Sequence, residues 1–198
     1  MSRHFGEGEV CFGAHADAVR AVRASLGQWF ELFDEVVLSS SQIVGKPLRI
    51  DVLAVPKEEF GYLIGIEVKR GFYRMSEYSL AIKQAADYRL STINDPRLPT
   101  LAGRRVAAGI VFPRWQGGHD KAREYCEPAR GMEILAHHFR VGAADYDEGA
   151  ITFVMNDQRL WSSGEWSGNA PGILGGKERV GSLRMTDPAR GWGRRDSH

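Results

Sequence analysis

The chain has 198 residues, of which 43% are hydrophobic and 26% charged, with a net charge of +1. That length and apolar content suit one domain with a real core, or a domain with an appendage, and the charge balance excludes the overall basic character of many nucleic-acid binders. No apolar stretch approaches a membrane span, the acidic N-terminus is not expected to be a secretory signal, and two lone cysteines (Cys11 and Cys126) exclude a disulfide scaffold or zinc knuckle, so a reducing cytoplasm is the expected compartment.

Ala14 to about Phe33 predicts a helix, because Val19, Val22, Leu26 and Phe30 recur at helical spacing while Arg20 and Arg23 lie off that stripe. Trp29 and Phe33 widen the apolar face. Asp34 to Ser40 predicts a first, β-branched strand, followed by a loop to Gly45. Arg49–Val55 and Tyr62–Gly71 then alternate apolar residues with others, around the polar turn Pro56-Lys-Glu-Glu59, and predict a β-hairpin.

The charges of this hairpin fall in unusual places. Asp51 sits between Ile50 and Val52, and Glu67 between Ile66 and Val68. Lys69 follows Glu67 by two, so both point to one face of the strand. Glu-x-Lys on a strand is most often solvated, since antiparallel sheets commonly keep one wet face. Here the surrounding sequence is strongly apolar, and buried charge is costly unless it is paired or bound to a metal.

Gly71–Met75 is a connection; within it Tyr73 and Arg74 join Arg70 in a small cationic and aromatic cluster. Ser76 has the chemistry of an N-cap, opening a helix from about Glu77 to Ser91 in which Leu80, Gln84 and Tyr88 share a face. Asn94–Pro99 breaks it. Arg104–Pro113 contains a nearly continuous apolar run, expected of a strand covered on both faces. A short helix is expected over Gly131–Val141, a strand over Gly149–Met155, and a hairpin return through Arg159-Leu-Trp-Ser162. From Gly164 to His198 the composition turns Gly-rich and basic, predicting a mobile or partner-ordered tail after a domain spanning residues 1–163.

Other signals carry little. His137 and His138 are adjacent, so on a helix they diverge by about 100°. Residues 171–178 fail the Walker A pattern at Pro171 and Glu178.

The order helix, strand, strand with Asp51, strand with Glu67-x-Lys69, helix with Gln84-x-x-x-Tyr88, strand resembles the PD-(D/E)xK nuclease superfamily over roughly residues 14–113. The Gln-x-x-x-Tyr element resembles the branch related to the RecB nuclease domain. The resemblance implies an α/β, restriction-endonuclease-like fold: an α-β-β-β-α-β core with a mixed central sheet flanked by helices. It implies a deoxyribonuclease using Mg²⁺ or Mn²⁺. Asp51, Glu67 and the Val68 carbonyl would hold the ion, Lys69 and Gln84 would assist the attacking water, and Arg70, Tyr73, Arg74 and Tyr88 would contact nucleic acid. In such proteins an acid or histidine on the first helix often completes the site; His15, Asp17 and Glu31 all qualify. Two departures stand out: Ile50 precedes Asp51 where the family name has Pro, and residues 114–198 match no part of the pattern. The alternative is a nuclease-like fold that holds nucleic acid or a protein without turnover. The C-terminal part is open to a protein partner or a second copy.

Overall fold

The structure is a computed structural model. It describes residues 2–4, 10–40, 47–57, 62–71, 75–114, 131–155 and 158–164. The tail expected from Gly164 onward therefore lies outside the described residues, apart from Gly164 itself.

The core is a mixed eight-stranded sheet. In chain order the elements are β1 (Ser2–His4), β2 (Val10–Phe12), α1 (His15–Leu26), β3 (Phe30–Ser39), β4 (Leu48–Pro56), β5 (Ile64–Val68), α2 (Met75–Arg89), β6 (Thr92–Ile93), β7 (Ala108–Phe112), a short helix α3 over 131–137, β8 (Val141–Asp147), β9 (Ala150–Met155) and β10 (Gln158–Ser162). β1 and β2 form a separate antiparallel pair, and the large sheet runs β10-β9-β8-β7-β5-β4-β3-β6. β3, β4 and β5 are antiparallel neighbours, β7 runs parallel to β5 and β8, and β8, β9 and β10 are antiparallel. The expected α/β class, with a mixed sheet flanked by helices, is what the structure shows. No helix of the described residues is long and apolar enough to cross a membrane.

Each face of the sheet has its own core. Ala18, Val22 and Leu26 of α1 pack with Val52, Ile64, Ile66, Phe112 and Phe153. On the other side Tyr78, Ala81, Ala85 and Tyr88 of α2 pack with Leu53, Leu63 and Val111, joined by Ala136 of α3. Each such large apolar side chain stabilises by about 1.5–3 kcal/mol when fully buried. A buried polar tie links the helices of that side: the Tyr78 hydroxyl donates to Glu133, whose carboxylate also accepts from Arg114 at 2.6 Å. β7 is buried along its whole length, as its continuous apolar run predicts.

Several boundaries differ from the expectation. The first helix ends at Leu26, not Phe33, with the Gly27 N–H closing onto the Arg23 carbonyl. Phe30 and Phe33 belong to β3, which starts four residues before the expected Asp34. Phe30 with Leu32, and Val36 with Leu38, each keep a period of two on opposite sides of Glu35, while Phe30 also continues the helical stripe, and tertiary pairing with β4 decides between them. β5 is confined to Ile64–Val68 within the expected Tyr62–Gly71. α2 begins at Met75, so Ser76 stands in the first turn and is not the cap, and the helix ends at Arg89. The last helix stops near residue 137, and Arg140, at φ +60°, turns the chain into the unforeseen β8. The hairpin of β9 and β10 is as expected.

Candidate active site

The hairpin brings Asp51 and Glu67 together by register. β4 and β5 pair through Ala54↔Ile64, Leu53↔Gly65 and Val52↔Ile66, and one step further the two acids would stand opposite each other. There the ladder gives way to a side-chain bond: the Val68 N–H donates to Asp51 Oδ2 at 2.7 Å. The Lys69 N–H donates across to the Phe112 carbonyl at 2.6 Å. N–H and C=O of one trans peptide point in opposite directions, so the Val68 carbonyl faces away from β7, on the side of Asp51.

Glu67 is only 2% exposed, and both its oxygens are engaged. Oε1 accepts from Lys69 Nζ at 2.6 Å, and Oε2 accepts from the Tyr88 hydroxyl. Lys69 Nζ also reaches Gln84 Oε1 at 3.4 Å. Gln84 and Tyr88, one helical turn apart on α2, thus meet the hairpin with their polar ends. The close approach of α2 needs Gly109, where a Cβ would overlap the Ala85 carbonyl. Burial, and then the neighbouring Glu67 charge, push the Asp51 carboxyl up to about 6. Burial and Glu67 also raise Tyr88, holding its hydroxyl protonated as a donor.

Asp51 also belongs to a second group of donors. Ligand atoms of His15, Glu35 and Asp51 all lie within 4.8 Å of one another. His15 opens α1, so among the three expected completing residues the structure brings His15 to the site. Asp17 instead pairs with Arg20 and accepts the Ala14 N–H at 3.1 Å. Glu31 lies on β3, not on the first helix, and is exposed opposite Val55.

Glu35 is the residue that the sequence reading missed. It sits in β3 across from Asp51, between the pairs Asp34↔Val52 and Val36↔Ile50, at φ +52°. A left-handed backbone at a non-glycine residue costs about 1–3 kcal/mol. Its consequence shows in the packing. Leu32 and Val52 pack on the α1 side, but Val36 and Ile50 pack on the α2 side. Residues two apart on a regular strand share a face, so both strands change faces at Glu35 and Asp51.

The expected nucleic-acid contacts fare unevenly. Arg70 is exposed at the end of the hairpin, while Tyr73 and Arg74 lie outside the described residues. Tyr88 is fully buried, which corrects its expected role: a ring with no exposed face cannot stack on a base, and its hydroxyl serves Glu67 instead.

The His15, Glu35 and Asp51 donors could hold a metal ion. Opposite ligands of an ion bound at 2.0–2.6 Å stand roughly 4–5 Å apart, the span of the His15, Glu35 and Asp51 atoms. Glu35, Asp51, Glu67 and the Val68 carbonyl offer oxygens, and His15 offers an imidazole nitrogen. Comparison with family models, with curated proteins and with solved structures gave no match.

Proposed function

We propose that the chain is a divalent-metal-dependent nuclease of restriction-endonuclease-like fold that hydrolyses phosphodiester bonds of DNA. One observation carries this reading: Asp51 and a deeply buried Glu67 stand on neighbouring strands, Asp51 accepting the Val68 N–H while Glu67 accepts from Tyr88 and from Lys69, whose ammonium also reaches Gln84. A solvated sheet face has no reason to bury Glu67 at 2% exposure.

In this reading Asp51, Glu67 and the Val68 carbonyl would hold Mg²⁺ or Mn²⁺, with His15 and Glu35 as further donors beside Asp51. A bound ion there supplies positive charge beside the phosphate and lowers the pKa of water. The protein's own residues do the rest. The Lys69 ammonium, held by Glu67 and Gln84, orients the attacking water and offsets charge that builds on the phosphate in the transition state. Tyr88 fixes the second Glu67 oxygen, so the lysine is aimed from a rigid base. Arg70, exposed beyond the end of β5, would contact a phosphate of the strand in this reading.

Calorimetric titration with Mn²⁺ tests the ion-binding half of this reading. The wild type is expected to bind, and Asp51→Ala to lose binding. A second reading, a nuclease-like module that holds nucleic acid or a protein without turnover, is favoured by the engagement of both Glu67 oxygens inside the protein. Such a module would be indifferent to Mn²⁺ and to the substitution.

A further inference from the structure

We infer that Asp95 and Arg97 are positioning residues for the cation site: they hold Glu35 in the left-handed backbone that brings its carboxylate beside His15 and Asp51. The inference rests on the reading of that group as cation-binding.

The geometry is specific. Arg97 Nη2 donates to the carbonyls of both Asp34 and Glu35, at 3.1 and 3.0 Å. Consecutive carbonyls of a regular strand point to opposite sides, so one donor can serve both only where the backbone is turned. The same guanidinium is forked onto Asp95, through Nε at 2.9 Å and Nη2 at 2.7 Å. Asp95 is 4% exposed and accepts the Val37 N–H at 3.1 Å, while the Asn94 N–H donates to the Val37 carbonyl at 3.0 Å. The loop after β6 thereby replaces a missing strand along β3 from residue 34 to 37. Pairing with Arg97 holds the Asp95 carboxyl well below the usual range, so the clamp stays charged through neutral pH.

Capping an edge alone would not require a glutamate at the strained position. Glycine adopts φ +52° without strain, so the backbone gains nothing from the Glu35 side chain. That side chain points to the cation group, and its ion pair with Arg49 Nη1, among the described residues, is 3.9 Å long, too far to fix it. What holds Glu35 in place is its backbone, and what holds the backbone is Arg97.

The test is Mn²⁺ affinity of the full chain, measured by calorimetry for wild type, Glu35→Gln, Arg97→Gln and the double variant, with circular dichroism as the check on folding. Each single change is expected to weaken binding about tenfold, the scale for residues that orient ligands. The double variant should bind no more weakly than Glu35→Gln alone, because Arg97 acts through Glu35. The sign is informative: by charge alone, removing an arginine near a cation site would tighten binding. Arg97→Lys, which keeps the charge and loses the fork, should behave as Arg97→Gln does. Should Arg97→Gln not fold, Asp95→Asn takes its place in the same cycle. Unchanged or tighter binding in Arg97→Gln, wild-type binding in Glu35→Gln, or losses that multiply in the double variant would each overturn the inference. A wild type that binds no Mn²⁺ removes the underlying reading as well, and that result is seen before any variant is made.

Discussion

Asp51 is the residue at which stability and function oppose each other. Its carboxyl is pushed up to about 6 from an ordinary value of 3.8, by burial first and Glu67 second. The folded state therefore binds the proton more tightly than the unfolded chain. Between about pH 4 and 6 the Asp51 contribution to stability therefore falls as pH rises, by linkage. Asp51→Asn, which still accepts the Val68 N–H, is expected to stabilise the metal-free protein above pH 6 by about 1–3 kcal/mol, with no gain below pH 4. Thermal melts across that range check it, and a destabilised variant at pH 7 would contradict the assignment. Tyr88→Phe should act in the opposite direction. It leaves a buried Glu67 oxygen without its donor, at about 1–3 kcal/mol, read as a lower urea midpoint. Glu67 and Lys69 were legible from the two-residue spacing on a strand, and Gln84 and Tyr88 from the four-residue spacing on a helix; Asp51 was legible as an acid inside an apolar strand, but the face change at its own position was not. Glu35 was not. Its backbone is set by Arg97, 62 residues away in sequence, and nothing in Asp34-Glu35-Val36 announces a left-handed turn.

At the scale of elements, the site exists because α2 lies close on β5 and β7. Gly65 and Gly109 make room: a Cβ at Gly65 would press on the Tyr88 ring at 2.9 Å, and one at Gly109 would meet Ala85 backbone. Gly109→Ala is therefore expected to cost about 1–3 kcal/mol as overpacking. It should also lift Gln84 and Tyr88 from the hairpin, lowering metal-dependent activity beyond what the lost stability explains. The hairpin and β7 could be read from their long Val/Ile/Leu patterns. The α1–β3 boundary could not, because Phe30 satisfies both helical and strand spacing. β8 was hidden for a different reason. After Val141 the run Gly142-Ala-Ala lacks β-branched bulk, and at Gly142 the packing itself requires this, because a Cβ there would overlap the Val154 carbonyl.

For the whole molecule, the succession of α1, β3, β4, β5, α2 and β7 carried the fold class, since each element's period could be read in order. The continuation through β8, β9 and β10 extends the sheet on the far side of β7, where the resemblance had no pattern to offer. A net charge of +1 leaves no general attraction to a polyanion. In the proposed reading DNA affinity rests on local cations such as Arg70 and Lys69 and on the ion, and its fall with salt should be shallow because few phosphates are neutralised.

The most direct measurement is cleavage of circular single-stranded and linear double-stranded DNA with Mg²⁺ or Mn²⁺, beside Lys69→Ala and an EDTA control. Cutting by the wild type that EDTA abolishes and Lys69→Ala lacks is the predicted result, and cutting of circles would identify an endonuclease. Intact DNA under all metal conditions, or equal cutting by Lys69→Ala, would contradict a catalytic site built on the β4–β5 hairpin.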